Sequence, residues 1–376
     1  MSSVEPSIPA EPPRDRPLPQ RRAHPIPPNW VAFGEVPGLL LIRLMSRCNE
    51  KCRFCMVADE IEQSDDVDFQ EAESRILAQP EGTHIEFFGG EPTIYPRFLE
   101  LLRLARRRGH PCSIASNCRA FHSDKFTAAV AELDPSQIYI RTTLLGDTAD
   151  LHDFNTATPG SYRQTVKGIE NIVRAGFTCQ VNIVILAGNY TQLPAMVDLV
   201  ADWGVPRIKF GNLMGVRFCE PLAVSLATVR PYLREAIAVA ERRDLKVTVE
   251  KTPICVAAGR IDLMSTEREL GQWPRAYDDM GECGACLVRP WCDGLDPDYV
   301  AIFGYDGIER VASVSATVLR GTSRDSGEPE LLRTHCVEIA DGPIDGDTTT
   351  GLVTLLHRVE AKHGRLAVFP SRYILR

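Results

Sequence analysis

Short apolar runs alternate with amphipathic segments along most of the chain, and this alternation restricts the fold more than any other feature. Between the second and third of these runs, for example, Phe98, Leu101 and Leu102 have the spacing of one helix face, and Gly109 predicts the helix end. The runs lie at residues 39–44, 84–88, 112–115, 137–142, 178–186 and 207–210, with 246–250 as a possible seventh. Repeated strand–helix units predict a parallel sheet with right-handed crossovers. We therefore expect an α/β fold, a partial (β/α)6 TIM-like barrel with a small C-terminal extension.

Composition and charge limit the classes of partner. The net charge of -8 argues against a nucleic-acid partner, because proteins that bind nucleic acids usually present a basic face. No apolar run reaches the ~18–20 residues that cross a bilayer, and the first thirty residues lack the apolar core of a signal peptide. We therefore expect a cytoplasmic protein with no membrane partner.

Changes in pattern along the 376 residues predict four segments. Residues 1–30 are rich in proline and poor in apolar residues, which predicts a disordered arm. Residues 31–245 form the predicted barrel, and residues 246–310 the predicted extension. Residues 311–376 are expected to cap the barrel, although no motif lies there.

Three cysteines follow the first predicted strand at close spacing. Three residues separate Cys48 from Cys52, and two separate Cys52 from Cys55. Three thiolates can ligate three irons of a 4Fe–4S cube, which leaves the fourth iron open to another ligand. The alternatives are a zinc loop or ordinary core cysteines, but structural zinc takes four ligands. In a cytosolic chain, clustered cysteines indicate metal or cluster ligands rather than disulfides.

A second motif, Gly89-Gly90-Glu91-Pro92, follows the second predicted strand. Two glycines allow the backbone to approach a ligand closely, and Glu91 supplies an acceptor beside them. By itself the motif could be a turn before a helix. Its place one strand after the cysteine loop favours a binding role, because the carboxyl ends of parallel strands meet at one edge of a barrel.

The cysteine spacing, with Phe54 before Cys55, resembles the signature of the radical S-adenosylmethionine (radical SAM) enzymes. The resemblance implies that S-adenosylmethionine fills the open iron site through its amino and carboxylate groups. It further implies that an electron from the cluster cleaves the sulfonium to a 5′-deoxyadenosyl radical. The Gly89–Gly90–Glu91–Pro92 element is expected to bind the methionine amino group.

The resemblance also implies other candidate contacts to S-adenosylmethionine, by their position after the predicted strands. Ser116 and Asn117 follow the third predicted strand, where such enzymes often contact the methionine carboxylate or the ribose. Thr142 and Asn182 are weaker candidates, and Met214, within residues 212–215, is a candidate for adenine. Each of the Ser, Thr and Asn residues could instead be a cap or turn residue.

His152 and Asp153 are candidates for holding or deprotonating a substrate, because His titrates near neutral pH. A surface or capping role is an equal alternative for both residues.

A second cysteine group follows the possible seventh strand. Its members are Cys255, Cys283, Cys286 and Cys292. Four thiolates can close a zinc site or saturate a cubane cluster. The triplet resembles the SPASM and Twitch extensions of radical SAM enzymes, although Asp296 stands where the full SPASM pattern has another cysteine. The resemblance implies one Twitch-like auxiliary 4Fe–4S cluster, with structural zinc as the alternative.

Sequence elements outside these groups give two further expectations. Residues 299–303 have a strand-like composition and precede a turn at Asp306-Gly307, which predicts a hairpin. Cys112, Cys118, Cys179 and Cys219 lack ligand spacing and are expected in the core.

The resemblance implies an oxidoreductase-type enzyme that generates a 5′-deoxyadenosyl radical and abstracts hydrogen from a substrate. The first expectation is oxidation or cross-linking of a peptide in natural-product maturation. The alternative with the same chemistry is a small metabolite in cofactor or natural-product biosynthesis. A reducing partner such as flavodoxin or ferredoxin is also implied. An alternative of another class is a zinc-stabilised binding protein without catalysis.

Overall fold

A computed structural model describes residues 33–36, 38–55, 66–213, 216, 219–264, 275–289, 292 and 294–312. The predicted arm at 1–30, the candidate Met214 and nearly all of the predicted cap at 311–376 lie outside the described residues.

Eight strands form one sheet in which spatial order follows sequence order. The first two strands are an antiparallel pair, and each later strand joins its predecessor in parallel. The strands are β1 (Phe33–Val36), β2 (Leu39–Met45), β3 (His84–Gly89), β4 (Cys112–Ala115), β5 (Ile138–Thr143), β6 (Thr178–Ile185), β7 (Arg207–Asn212) and β8 (Lys246–Glu250). The α/β fold with a parallel, barrel-like sheet is therefore confirmed.

The six predicted strands are β2 to β7, and the possible seventh is β8. The predicted sheet lacked β1, a strand of four residues that pairs with β2 alone. Such a short strand carries too few positions to show a period.

Helices follow most of the parallel strands. They are α1 (Phe69–Leu77), α2 (Phe98–Arg107), α3 (Asp124–Ala131), α4 (Ala149–Thr156), α5 (Ser161–Arg174), α6 (Leu193–Asp202), α7 (Leu226–Arg242) and α8 (Pro297–Phe303). The stripe predicted for α2 is buried throughout. Several helices begin at a side chain that accepts a backbone N–H, such as Asp68 before α1 and Ser225 before α7.

The two faces of the sheet differ in chemistry. Leu40, Ile42 and Leu44 alternate along β2, are fully buried and belong to the core that the strands share with the helices. Arg43, between Ile42 and Leu44, points to the opposite face because successive side chains on a strand alternate. We call this opposite, partly polar side the inner face. It includes Glu86 on β3, Arg141 on β5 and Asn182 on β6, and Asn182 is in register with Lys209 on β7.

The hairpin predicted at 299–303 is wrong, because these residues belong to α8. Asp296 caps this helix by accepting the Asp298 N–H at 2.8 Å, and Pro297 occupies its first turn. Tyr299 is buried, and its hydroxyl accepts the Leu226 N–H at 2.7 Å. An N-cap with a following proline thus outweighs the strand preference of Tyr, Val, Ile and Phe.

No helix in the described part of the chain combines the length and the apolar character needed to cross a membrane. The four cysteines without ligand spacing, Cys112, Cys118, Cys179 and Cys219, are buried as predicted.

Candidate functional site

The three-cysteine loop leaves the carboxyl end of β2 and is held by the end of α4. Cys48, Cys52 and Cys55 are half-buried. The Lys51 N–H donates to the Thr156 carbonyl at 3.0 Å, and the Arg53 N–H donates to the Asn155 carbonyl at 2.9 Å. The loop backbone is therefore fixed on either side of Cys52.

The two glycines of the second motif lie directly against the start of the cysteine loop. The Gly90 N–H donates to the Met45 carbonyl at 2.8 Å. A Cβ on Gly89 would lie 2.2 Å from the Met45 carbonyl oxygen, and a Cβ on Gly90 would lie 2.1 Å from that of Arg47. Only glycine permits this contact, so the close approach seen here is to the chain's own backbone.

Glu91 joins the loops after β3 and β4. Its Oε1 accepts the Thr93 N–H at 3.1 Å and the Ser116 hydroxyl at 2.8 Å, and its Oε2 accepts the Asn117 N–H at 2.7 Å. The carboxyl group is 1% exposed, and burial raises its pKa. Among the described residues Oε2 accepts this one hydrogen bond, and a carboxylate oxygen can accept two.

Ser116 and Asn117 make different contacts beside this network. The Ser116 hydroxyl donates to Glu91 and accepts the Cys118 N–H at 3.0 Å, so it serves the loop itself. The Asn117 amide donates to Asn49 Oδ1 at 2.6 Å and lies 3.9 Å from Cys48 Sγ. Asn117 is therefore the member of the pair that contacts a thiol of the three-cysteine loop.

The weaker candidates separate onto the two faces of the sheet. Thr142 is buried on the apolar side beside the Cys118 thiol, so the cofactor role suggested for it conflicts with its position. Strand alternation instead places Thr143 on the inner face, in register with Asn182. Asn182 lies on the inner face as expected, and its Oδ1 accepts from Gln180 at 2.8 Å.

A small apolar cluster adjoins the cysteine loop. Cys52 and Phe54 pack against it. Its buried members come from the segments after β5, β6 and β7, and we call it the mouth cluster: Leu145, Leu186, Leu213, Cys219 and Leu222. Leu213 lies within residues 212–215, the stretch expected near adenine. Leu145, Leu186 and Leu222 were not predicted, because single leucines in loops carry no motif.

Glu50 is a site residue that the sequence reasoning missed. It lies between two of the cysteines, is buried, and its Oε2 lies 3.5 Å from Cys52 Sγ. Burial raises the pKa of Glu50 to about 7, although the Arg119 guanidinium opposes the shift. Burial likewise raises the pKa of the Cys48 thiol to about 12. An acidic residue between ligand cysteines was the available signal.

His152 and Asp153 have structural contacts. His152 is 1% exposed, its Nδ1 accepts the Leu145 N–H at 3.2 Å, and burial lowers its pKa to about 4. The Asp153 carboxylate accepts the Tyr162 N–H at 2.7 Å and the Ser161 hydroxyl at 2.8 Å at the start of α5. The capping alternative therefore describes Asp153, and burial removes His152 from a general-base role at neutral pH.

The second cysteine group surrounds one pocket of about 350 Å³, part of it open to solvent. Cys255, Cys283, Cys286 and Cys292 all line it. Its wall also includes Tyr277, whose hydroxyl donates to the Cys292 carbonyl at 2.9 Å. Four cysteines from segments almost forty residues apart in sequence thus meet at one space.

Backbone and side-chain hydrogen bonds support this pocket. The N–H groups of Ile254 and Gly294 point at Cys292 Sγ, at 3.5 and 3.4 Å. On α7, the Arg234 guanidinium donates to the Cys255 carbonyl at 2.8 Å and to Glu309 Oε2 at 3.1 Å. The barrel helix therefore positions the loop that carries Cys255.

Both cysteine groups have the donor chemistry of iron–sulfur sites. Among the described residues, no three Cys, His, Asp or Glu side chains are arranged to hold one metal ion. A zinc ion needs its sulfur ligands within about 4 Å of one another, given Zn–S bonds near 2.3 Å. A 4Fe–4S cube instead binds each thiolate at a separate corner. Both groups supply the thiolates that either kind of centre binds.

Comparisons with known proteins agree with this geometry. Residues 42–200 match the model of the Radical SAM superfamily. A tungsten-containing aldehyde ferredoxin oxidoreductase cofactor-modifying protein of Pyrococcus furiosus is 27% identical over 184 residues, which are 46% of this chain and 51% of that protein. Mycofactocin maturase MftC of Mycobacterium tuberculosis is 24% identical over 173 residues, 45% of this chain and 43% of that protein.

Among solved structures, Streptococcus suis SuiB bound to precursor peptide SuiA is 19% identical, with a TM-score of 0.48 over 59% of this chain and 50% of that chain. The chain spans about half the length of the curated relatives it matches. The matched region contains the three-cysteine loop and the Gly89–Gly90–Glu91–Pro92 motif. The chain therefore carries a domain of the Radical SAM superfamily, which comprises residues 42–200.

Proposed function

We propose that this protein is a radical SAM enzyme that oxidises or cross-links a peptide. The observation that carries the proposal is the direct contact between two motifs. The Gly90 and Glu91 N–H groups bond to the backbone of Met45 and Arg47, at the entry to the three-cysteine loop. This contact lies within the superfamily match.

Each part of the site has a defined task in this proposal. Cys48, Cys52 and Cys55 hold a 4Fe–4S cluster, and Glu91 Oε2 with the adjoining backbone receives the amino group of S-adenosylmethionine. When bound, the cluster and S-adenosylmethionine supply one-electron reduction and a 5′-deoxyadenosyl radical. Phe54 and the mouth cluster exclude water from the same space.

Cys255, Cys283, Cys286 and Cys292 hold a second, Twitch-like 4Fe–4S cluster in this proposal. The shared pocket supports it, because four thiols around one space can saturate a cube. Such a cluster can exchange an electron with the substrate during oxidation.

A peptide substrate is the first choice because auxiliary-cluster extensions often accompany peptide-modifying radical SAM enzymes. A maturase among the relatives accords with it. A small metabolite is the second candidate, favoured by relatives named as a cofactor-modifying protein and as heme synthases. A flavodoxin or ferredoxin is the proposed reductant.

The test is anaerobic reconstitution with iron and sulfide, followed by dithionite and S-adenosylmethionine. We expect 5′-deoxyadenosine and about eight irons per chain, two cubes' worth. Cys52→Ala should abolish 5′-deoxyadenosine, whereas Cys286→Ala should retain its formation and lose about half of the iron.

Cys112→Ala is the matched control, because Cys112 is a core cysteine and should leave both results unchanged. Stoichiometric zinc without sulfide, or cleavage by Cys52→Ala equal to that of the unmodified protein, would contradict the proposal.

A further inference from the structure

Asn49, the residue after Cys48, is held by two side chains from the segment that follows β4. The Asn117 amide donates to Asn49 Oδ1 at 2.6 Å and lies 3.9 Å from Cys48 Sγ. The Arg119 guanidinium donates to the Asn49 carbonyl through Nη1. The side chain and the backbone of Asn49 are therefore both fixed from the segment after β4.

The two holding residues are joined to each other and to helix α5. The Arg119 N–H donates to Asn117 Oδ1 at 3.0 Å. On α5, Gln164 Oε1 accepts from Arg119 Nε at 2.7 Å, and the Thr165 hydroxyl donates to the Asn117 carbonyl at 3.0 Å. Helix α5 therefore supports both side chains that reach Asn49.

The backbone between the two holding residues packs closely on the same helix. Cys118 has a φ of 60°, a left-handed conformation that is uncommon in residues other than glycine. A Cβ on Gly168 of α5 would lie 2.1 Å from the Cys118 carbonyl oxygen, so only glycine permits this approach. A conformation of this kind persists where the surrounding structure determines it. The direction of the segment at 117–119 is therefore set by α5.

Arg119 also brings a permanent positive charge to the cysteine loop, because a guanidinium stays protonated in proteins. This charge acts on Glu50, the buried carboxyl group between Cys48 and Cys52. Charges interact more strongly in a protein interior than in water, since the effective dielectric constant is lower. An electron added at the thiolates of this loop would be stabilised by the same charge.

We propose that Arg119 is a positioning residue for the cluster of the three-cysteine loop, here called the first cluster. It holds Cys48 in place through Asn49, and its charge raises the reduction potential of the first cluster. This inference rests on the proposed function, which supplies the cluster. The potentials of iron–sulfur clusters depend on nearby charge and on hydrogen bonds around the sulfurs, so a change at Arg119 should be measurable there.

Two variants separate the charge of Arg119 from its geometry. Arg119→Met removes the charge and the hydrogen bonds to Asn49 and Gln164. Arg119→Lys keeps the charge but loses the planar fork that reaches both partners. Arg163→Met is the matched control, because it removes an exposed positive charge from α5, directly beside Gln164.

The first measurement is a redox titration of the reconstituted protein, followed by electron paramagnetic resonance. The signal of the first cluster is the one that changes when S-adenosylmethionine is added, because its fourth iron is open. In Arg119→Met, the ratio of reduced to oxidised first cluster at a given applied potential should fall at least about tenfold, a shift of about 59 mV. Arg119→Lys and Arg163→Met should keep a potential close to that of the unmodified protein.

The second measurement is the rate of iodoacetamide alkylation at Cys48 in the iron-free protein, with Cys283 as the internal reference. Both Arg119 variants should react severalfold faster at Cys48, because the loop that carries this thiol is less firmly held and access to the thiol limits the reaction. Arg163→Met should react at the original rate.

An unchanged potential in Arg119→Met would overturn the inference, and so would an equal fall in potential in Arg119→Lys, since only the charge differs between the two variants in this respect. If Arg119→Met does not fold, Arg119→Gln takes its place. A first cluster that cleaves S-adenosylmethionine but keeps its potential in Arg119→Met refutes the role of Arg119 alone. An unmodified protein that binds no cluster refutes the proposed function, and the alkylation rates then decide whether Arg119 positions Cys48.

Discussion

His152 shows how far burial changes the role of one side chain. A histidine near neutral pH suggests a general base, but this ring on α4 is buried beside Tyr162, 5.6 Å away between ring centroids. Burial lowers its pKa to about 4, and the ring accepts a hydrogen bond from Leu145. Neutral His152 therefore stabilises the segment after β5.

The lowered pKa predicts acid sensitivity. The unfolded chain binds the proton more tightly, with a His pKa near 6.5, so stability is complete above about pH 6.5 and is lost as the pH falls toward about 4. Each such histidine should contribute about 1.4 kcal/mol per pH unit in this window. His84, whose pKa burial also lowers to about 4, acts in the same direction.

His152→Asn should keep an acceptor for the Leu145 N–H. It should also remove one titrating group from the pH dependence of stability. Urea unfolding from pH 4.5 to 7.5 measures the free energy of unfolding as a function of pH. Its slope against pH should be shallower by about one proton in the variant, and the free energy of unfolding at pH 7 should be similar. His122→Asn, at an exposed histidine, is the control and should keep the original slope. An unchanged slope in His152→Asn would contradict the assignment.

At the scale of elements, α7 links the barrel to the second cysteine group. Arg234 lies on α7 and reaches the carbonyls of Cys255 and Val256 as well as Glu309. Arg230, one turn earlier, also pairs with Glu309, at 2.6 Å. The helix thus fixes the Cys255 loop from the barrel side.

Arg234→Met should impair the second cluster without affecting the first. We expect iron to fall from about eight toward about four per chain, while 5′-deoxyadenosine formation without substrate persists. Iron and sulfide analysis with the cleavage assay measures both results. Arg242→Met, at an exposed position in the last turn of α7, is the control. Loss of cleavage together with the iron would show that Arg234 supports the whole fold instead.

The parallel strands were predictable because each carries its own local pattern. Helix α8 was not predictable. Its residues favour strands, and composition does not show that the N-cap before them outweighs this preference. The cysteine groups and the glycine motif could be found from spacing. The face of the sheet on which Thr142 lies could not be predicted, because it depends on the register of the strands. The hydrogen-bond partners of Glu91 could not be predicted either, because one of them, Ser116, is twenty-five residues away.

At the scale of the molecule, the cysteines in the described part of the chain separate by burial. Cys112, Cys118 and Cys179 are fully buried in the core. Six others are half-buried, three in the loop after β2 and three in the extension. This separation matches the division between core and ligand cysteines that spacing predicts, except that Cys255, a predicted ligand, is buried.

Alkylation should reproduce this division in the folded, iron-free protein. Peptide mapping after brief iodoacetamide treatment should find Cys283, Cys286 and Cys292 modified at least about tenfold faster than Cys112, Cys118 and Cys179, because thiolate access limits the reaction. Unfolding in urea is the control and should remove the difference. Equal rates in the folded protein would contradict the burial described here.

The support of the cysteine loop by α4 has a consequence for biosynthesis. Arg53 bonds to the Phe154 carbonyl, 101 residues further along the chain. A ribosome adds about 5–20 residues per second, so the thiols emerge roughly 5–20 s before the segment that fixes their loop. Iron delivered during that interval would meet an unsupported ligand set. Assembly of the first centre therefore has to follow translation of α4.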